Sequence, residues 1–254
     1  MAGAPRLLSR LLCASARGAR QSVRLWLMSL GVMAAVAPVW ADVIAEARYA
    51  DPTDRYAHGV LGDAIEWGTL ELVMQSGELR RFALPRDHVF EDFAPRLADL
   101  DGDGQPEVMV VETDMYAGAA FAIYGPRGKI TETPHIGTRN RWLAPVGAAD
   151  LDGDGVTEIA YVDRPHLAKT LRIWRYQNRT LTHAADLRGV TNHRIGETDI
   201  AGGVRECQSG PQLVLASEDW KDLVAFAWDG EAFIFEYLGD DTRRPAFARA
   251  LACQ

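Results

Sequence analysis

The chain has 254 residues, of which 35 are acidic and 27 are basic, and its formal net charge is −8. A negatively charged surface repels phosphate groups, so this charge disfavours nucleic acid and anionic membranes as partners. A cytosolic DNA-binding role is therefore not expected.

The first 41 residues have the composition of a secretory signal peptide. A leader with five arginines and no acid precedes the apolar stretch 25–40, and Val39 and Ala41 permit cleavage before Asp42. An uncleaved membrane anchor is the alternative, but it would need about 20 apolar residues without Pro38 near its end. We therefore expect a mature domain at 42–254 that is secreted or periplasmic, with no stable membrane span after cleavage.

Four pairs of apolar runs, each joined by a short turn, follow along the mature chain and predict β-hairpins. The turns contain Gly77, Gly128, Asn178 and Gly230, at steps of about 51 residues. A repeat of this length with several short strands is typical of β-propeller blades, whose sheets bury both faces only between neighbours. We predict an all-β fold, a small β-propeller of four blades. The predicted blades are 42–91, 92–142, 143–191 and 192–241, followed by a closing tail at 242–254.

Two acidic loops, 99–107 and 150–158, share the pattern Asp-Leu-Asp-Gly-Asp-Gly-x-x-Glu in the second and third predicted blades. Carboxylates fall at positions 1, 3, 5 and 9, and the glycine at position 6 permits a tight bend around one hard cation. The alternative is a pair of acidic surface turns, but four carboxylates so close together repel one another unless a cation neutralises them. We predict two calcium ions, held by side chains and by the backbone carbonyls of Gln105 and Val156. The predicted ligands are Asp99, Asp101, Asp103, Gln105 and Glu107 in the first loop, and Asp150, Asp152, Asp154, Val156 and Glu158 in the second.

Two cysteines, Cys207 and Cys253, remain once Cys13 is removed with the leader. An even pair in a chain bound for an oxidising compartment predicts one disulfide, and two separate buried thiols are the alternative. The bridge would fasten the tail to the last blade.

The two acidic loops, each followed by a short apolar strand, resemble the FG-GAP or VCBS repeats of integrin α chains and of many secreted bacterial proteins. An EF-hand would instead place its last acidic ligand at position 12, on a helix. The resemblance covers the second and third blades and implies a calcium-bearing propeller. It also implies that the metal loops lie on one face, and that partners usually bind the connections on the other face.

The connections on that opposite face combine acids with aromatic or histidine side chains. A ring of such residues suits stacking on a sugar or gripping a basic peptide, although acids can equally cap turns and aromatics can pack between blades. Cations such as Arg141 and His193 recur between blades, either as an anion-attracting mouth or as ordinary solvated residues. The candidate ligand-binding residues are Asp63, Trp67, Asp114, Tyr116, Asp163, His166, Glu218 and Trp220.

No motif for a hydrolase, a metalloprotease or a nucleotide-binding enzyme is present. His58 falls in a predicted strand and is interpreted as a core residue, whereas Asp163 with His166 could serve as acid and base. We predict an exported calcium-binding β-propeller that acts as a protein- or carbohydrate-binding or scaffolding module, with no catalytic residues assigned. The alternative is a propeller-fold hydrolase or lyase that acts on polysaccharide through rim Asp, Glu and His residues.

Overall fold

The computed structural model describes residues 43–254, and the predicted signal peptide lies outside the described residues. The described chain is all-β, as predicted, with strands β1 to β17 and one short helix. Every strand pair is antiparallel, and the strands form three sheets of eight, four and five strands.

The eight-stranded sheet contains the first acidic loop, which connects its strands β5 and β6. All eight residues of β7 are buried, because this strand consists of small, apolar and aromatic residues that pack on both faces. Strand β4 pairs with both β2 and β6 and so joins the first hairpin to the strands that follow. The strands are β1 Ile44–Thr53, β2 Glu66–Met74, β3 Leu79–Ala83, β4 His88–Phe90, β5 Arg96–Ala98, β6 Glu107–Asp114, β7 Gly118–Gly125 and β8 Gly128–Glu132.

The four-stranded sheet is a simple meander in which each strand pairs with the next, and the second acidic loop connects its strands β9 and β10. Its strands are β9 Leu143–Ala149, β10 Thr157–Asp163, β11 Thr170–Gln177 and β12 Thr180–Arg188. In the five-stranded sheet, the short strands β13 and β14 both pair with β15. Its strands are β13 Val190–Thr191, β14 Gly203–Cys207, β15 Gly210–Ser217, β16 Leu223–Trp228 and β17 Phe233–Gly239.

One pairing plan recurs around the long strands β6, β10 and β15. On one side, each of these strands pairs with the strand that follows it in the chain. On the other side, β10 pairs with the single strand β9, whereas β6 pairs with the two short strands β4 and β5, and β15 with the two short strands β13 and β14. The four predicted hairpins are all present, as β2–β3, β7–β8, β11–β12 and β16–β17. This repetition is compatible with β-propeller blades.

The tail forms a helix, α1, at Arg244–Leu251, which the sequence pattern did not predict. Its buried face, Ala246, Phe247 and Ala250, packs on apolar residues of β15 and β16. The predicted disulfide is present and joins Cys253, after the helix, to Cys207 in β14, with a Cα–Cα distance of 5.9 Å. Within the described residues no helix is long and apolar enough to cross a bilayer.

The connection 54–65, between β1 and β2, contributes to the largest core cluster. Its Val60 and Leu61 are buried against Trp142 and Leu143 at the start of β9. The prediction that His58 belongs to a strand is wrong: it lies in this connection. The chain cannot continue as a strand here because Gly59, with φ +68°, adopts a left-handed conformation.

Candidate functional site

The two acidic loops share one pattern of hydrogen bonds from backbone N–H groups to carboxylates. In the first loop, the Asp99 carboxylate accepts hydrogen bonds from the backbone N–H groups of Gly102 and Gly104, both at 2.9 Å. In the second loop, Asp150 accepts the equivalent bonds from Gly153 at 2.8 Å and Gly155 at 3.0 Å. These side-chain bonds wrap the backbone around the first aspartate, so the fold of each loop follows from its own sequence.

The glutamate at position 9 closes each loop from the other end. Glu107 Oε2 accepts a hydrogen bond from the backbone N–H of Leu100 at 3.0 Å, and Glu158 Oε2 accepts one from Leu151 at 2.9 Å. Both glutamates are buried, with 6% and 0% of their surface exposed. Burial raises the pKa of both carboxyl groups above its usual range. A buried carboxylate is stable in its charged form only beside a cation or several hydrogen-bond donors.

Three carboxylates of each loop converge. One oxygen from each of Asp99, Asp101 and Glu107 lies within 4.8 Å of the other two. The same holds for Asp150, Asp152 and Glu158. Two oxygens that share one calcium ion lie at most about 5 Å apart, twice the calcium–oxygen distance of roughly 2.3–2.6 Å. Each group of three therefore has the donor type and the spacing that a hard divalent cation needs.

The remaining predicted ligands lie on the same loops. Asp103 and Asp154, at position 5, are exposed, and each accepts a hydrogen bond from the backbone N–H two residues later. Those N–H groups belong to Gln105 and Val156, whose carbonyls are the predicted backbone ligands.

The second loop has a basic neighbour that sequence reasoning missed. Arg175, in β11, contacts Glu158 Oε1 at 2.9 Å and Asp154 Oδ2 at 3.1 Å, and it also pairs with Asp152. The first loop differs, because Val108, the residue after Glu107, pairs with Tyr124, and the next residue of β7 is Gly125, which has no side chain where Arg175 stands opposite Glu158. None of the four acids of the first loop forms an ion pair with a described basic residue. The guanidinium thus partly neutralises the second loop and leaves the first with its full charge.

Six of the eight candidate ligand-binding residues lie where β6, β10 and β15 end, whereas the acidic loops enter β6 and β10 at their other ends. The other two are Asp63, in the connection between β1 and β2, and Trp67, at the start of β2. Asp63 and Asp114 each cap a turn by accepting backbone N–H bonds. Asp163 is buried and binds Arg164 and Arg172. Of the other candidates, Trp67 packs on the core around Phe90, and Trp220 stacks under Arg194. Tyr116 and Glu218 are exposed. His166 forms a hydrogen bond with His193.

Buried acids form a second feature that sequence reasoning missed. Glu91 is fully buried and accepts hydrogen bonds from His58 Nδ1 at 2.5 Å and from Thr113 Oγ1 at 2.6 Å. Glu66 is 1% exposed, and its Oε2 has no hydrogen-bond partner. Burial, and then the nearby charge of Glu91, raise the pKa of Glu66 to about 9. Glu66 is therefore a neutral carboxylic acid at pH 7.

The Glu66 carboxyl is expected to make the protein less stable as the pH rises. From its ordinary pKa near 4.5 up to about 9, the folded state keeps the proton that the unfolded state has lost. The free energy of unfolding therefore falls with pH in this window, by at most about 1.4 kcal/mol per pH unit. Glu66→Gln removes the titration, so chemical denaturation between pH 5 and 8.5 should show a flatter profile for this variant. The exposed Glu231→Gln is the control, and equal slopes for both variants would contradict the assignment.

Comparison with known proteins gives one family match. Residues 99–161, from the first acidic loop to strand β10, match the family model of the FG-GAP-like repeat. No curated protein matches the chain in sequence. An exo-β-1,3-galactanase from Phanerochaete chrysosporium, solved with β-1,3-galactotriose, resembles the chain in structure at 11% identity, with a TM-score of 0.38. That similarity covers 68% of this chain and 44% of the galactanase, so it spans less than half of that enzyme. The segment that carries both acidic loops is thus similar to FG-GAP-like repeats, the family that its loop motif resembles.

Proposed function

We propose that the protein is an exported, calcium-stabilised β-propeller that acts as a protein- or carbohydrate-binding module. In this proposal the hairpins mark four blades, the two acidic loops each hold one calcium ion, and the ligand binds at the opposite ends of the strands. The observation that carries the proposal is the pair of loops with one hydrogen-bond pattern and converging carboxylates in each.

The calcium ions would stabilise the fold through the connections that they order. Each acidic loop joins two paired strands, β5 with β6 or β9 with β10. Each also buries a leucine, Leu100 or Leu151, beneath its carboxylates. A bound cation removes the repulsion among those carboxylates and holds the loop closed over the leucine. In each loop the protein would supply carboxylate oxygens as calcium ligands, with the buried glutamate at position 9 as the last of them.

Exposed apolar side chains support a binding role for the opposite ends of the strands. Tyr116 is 73% exposed, Leu167 64% and Ile195 72%, and each lies in a connection that leaves a strand at this end. Leu167 and Ile195 line the same pocket, and large apolar side chains that are exposed close together often mark binding sites. The sequence's candidate acid–base pair is not assembled there, because Asp163 binds two arginines and His166 binds His193.

One observation favours the enzyme alternative: the buried Glu91 orients His58 as a carboxylate orients a catalytic base. The two functions are separated by incubating the protein with a panel of polysaccharides and measuring both retention and new reducing ends. Retention without cleavage supports the binding module. Cleavage that disappears in His58→Asn would contradict it and favour a hydrolase or lyase.

The Arg175→Gln variant is expected to strengthen calcium binding at the second loop. The guanidinium competes with calcium for Asp152, Asp154 and Glu158, so its loss should raise the affinity of this loop by about tenfold, or roughly 1.4 kcal/mol. Isothermal titration of the calcium-free protein should resolve a tight site in the first loop and a weaker one in the second. Arg188→Gln, which changes an exposed arginine, should leave both affinities unaltered. Two equal sites in the unmodified protein, or no change in Arg175→Gln, would contradict the competition.

A further inference from the structure

A pocket of about 270 Å³ lies where the connection 54–65 meets the chain before β9 and after β10. It is separate from both acidic loops. Its lining includes His58, Arg141, Trp142, Arg164, His166 and Ile195. Pockets for drug-sized ligands span roughly 300–1,000 Å³, so this pocket suits a molecule of about one sugar unit.

The lining is cationic, although the chain as a whole carries a charge of −8. The residues around the pocket include two arginines and two histidines, and none is an aspartate or a glutamate. Arg141 forms no ion pair with a described acid, and its Nη1 donates only to the carbonyl of Asn140, at 2.7 Å. Arg164 is bound by Asp163, which also pairs with Arg172, and Arg172 has Asp186 as a second partner. The positive charge left over at the pocket is therefore that of Arg141, which favours an anionic ligand.

His58 is held in place by a buried carboxylate. Its Nδ1–H donates to Glu91 Oε1, and the Glu91 backbone carbonyl accepts a hydrogen bond of 2.8 Å from Trp142 Nε1. Burying a carboxylate costs free energy, and an apolar residue of similar size would fill the same space without that cost. Packing alone therefore does not account for Glu91 at this position. With Nδ1 committed to Glu91, Nε2 is the ring nitrogen left to hydrogen-bond a ligand.

His166 supplies a hydrogen-bond acceptor. The carbonyl of Glu197 can only accept, so His193 carries its proton on Nε2, which lies 3.1 Å from that oxygen. Burial lowers the pKa of His193 and lowers that of His166 to about 4, so both rings are neutral at pH 7. His193 Nδ1 must then accept the proton of His166 Nε2, at 3.0 Å. The remaining nitrogen of His166, Nδ1, is an acceptor.

The rim of the pocket is apolar, and its backbone is strained. Leu167 and Ile195 line the pocket and are the exposed side chains described above. Asn140 and Arg164, also in the lining, have φ values of +54° and +44°. Non-glycine residues held in this region cost free energy and concentrate at ligand sites.

We propose that this pocket binds a hydroxy carboxylate of about the size of one sugar unit, such as a hexuronate. The carboxylate meets the guanidinium groups of Arg141 and Arg164, and two hydroxyl groups form hydrogen bonds with His58 Nε2 and His166 Nδ1. The C–H face of the ligand packs on Leu167 and Ile195. The inference rests on the binding role proposed above and names the ligand class. It does not depend on calcium in the acidic loops.

D-glucuronate is the probe, titrated into the protein as purified and followed by calorimetry. D-glucose offers the hydroxyl groups without the charge, and propionate offers the charge without the hydroxyl groups. We expect saturable binding of glucuronate that is at least tenfold tighter than that of either control. Arg141→Gln should weaken glucuronate binding at least tenfold, whereas Arg139→Gln, an exposed arginine outside the lining, should not change it.

A second variant, Leu167→Ser, tests the apolar rim without touching a charge and is expected to weaken binding several-fold. Its side chain is exposed, so its melting temperature should match that of the unmodified protein. No saturable binding of glucuronate, equal affinity for glucose or propionate, or unchanged binding in Arg141→Gln would each overturn the proposal. An absence of bound calcium would instead defeat the proposed function and leave this titration valid.

Discussion

Removal of calcium from both loops is expected to lower the melting temperature of the protein by about 10–20 °C. A ligand present at 100 times its dissociation constant stabilises the folded state by about 2.7 kcal/mol per site. For a domain of this size, each kcal/mol corresponds to roughly 2–4 °C. The measurement is thermal unfolding, followed by circular dichroism, in 1 mM calcium and in excess chelator. Restoring calcium should restore the higher melting temperature, whereas magnesium should do so less well, because it requires a stricter octahedral geometry.

The two loops should not contribute equally to this shift. In Asp101→Ala the first loop loses a ligand and has no described cation to replace the metal charge. In Asp152→Ala, Arg175 still neutralises Asp154 and Glu158. We therefore expect the larger loss of calcium-dependent stability in Asp101→Ala, with the exposed Glu231→Ala as control. Equal shifts in all three variants would show that the loops do not provide the stabilisation.

Loss of the disulfide is expected to have an effect of similar size. Cys207 and Cys253 are 46 residues apart, and closing a loop of that length stabilises the folded state by about 4 kcal/mol in the chain-entropy description. The bridge also secures α1, whose Phe247 covers the sheet that contains β15 and β16. In the double variant Cys207→Ser/Cys253→Ser, the midpoint of urea unfolding should fall, and backbone amides of α1 should exchange hydrogen faster.

Reduction of the unmodified protein is the matched comparison for that variant. Dithiothreitol should shift its urea midpoint toward that of the double variant and have no effect on the variant itself. If dithiothreitol did not change the urea midpoint of the unmodified protein, the disulfide would not be stabilising the fold.

The features that the sequence predicted are those encoded locally. The hairpin turn at Gly77 and the acidic loop at 99–107 are specified within about ten residues, by turn chemistry and by the spacing of acids. The disulfide followed from the even count of cysteines in a chain that is expected to be exported. Helix α1 escaped prediction because its eight residues bury only one small face, which gives a weak periodic pattern.

The features that could not be predicted depend on residues far apart in the chain. Glu91 meets His58 across 33 residues, and Arg175 meets Asp152 across 23. Nothing in the sequence near either acid indicates its partner. Strand β4 has only three residues, so no alternation of apolar and polar side chains shows that it pairs with both β2 and β6. Likewise, burial and the nearby charge of Glu91 raise the pKa of Glu66, and both are properties of the whole fold.

The most direct test of this account is to count the calcium ions bound to the purified protein. Native mass spectrometry, checked by elemental analysis, should find two ions in the unmodified chain, one in Asp101→Ala and one in Asp152→Ala. A chain that carries no calcium, and that melts at the same temperature in calcium and in chelator, would contradict the account.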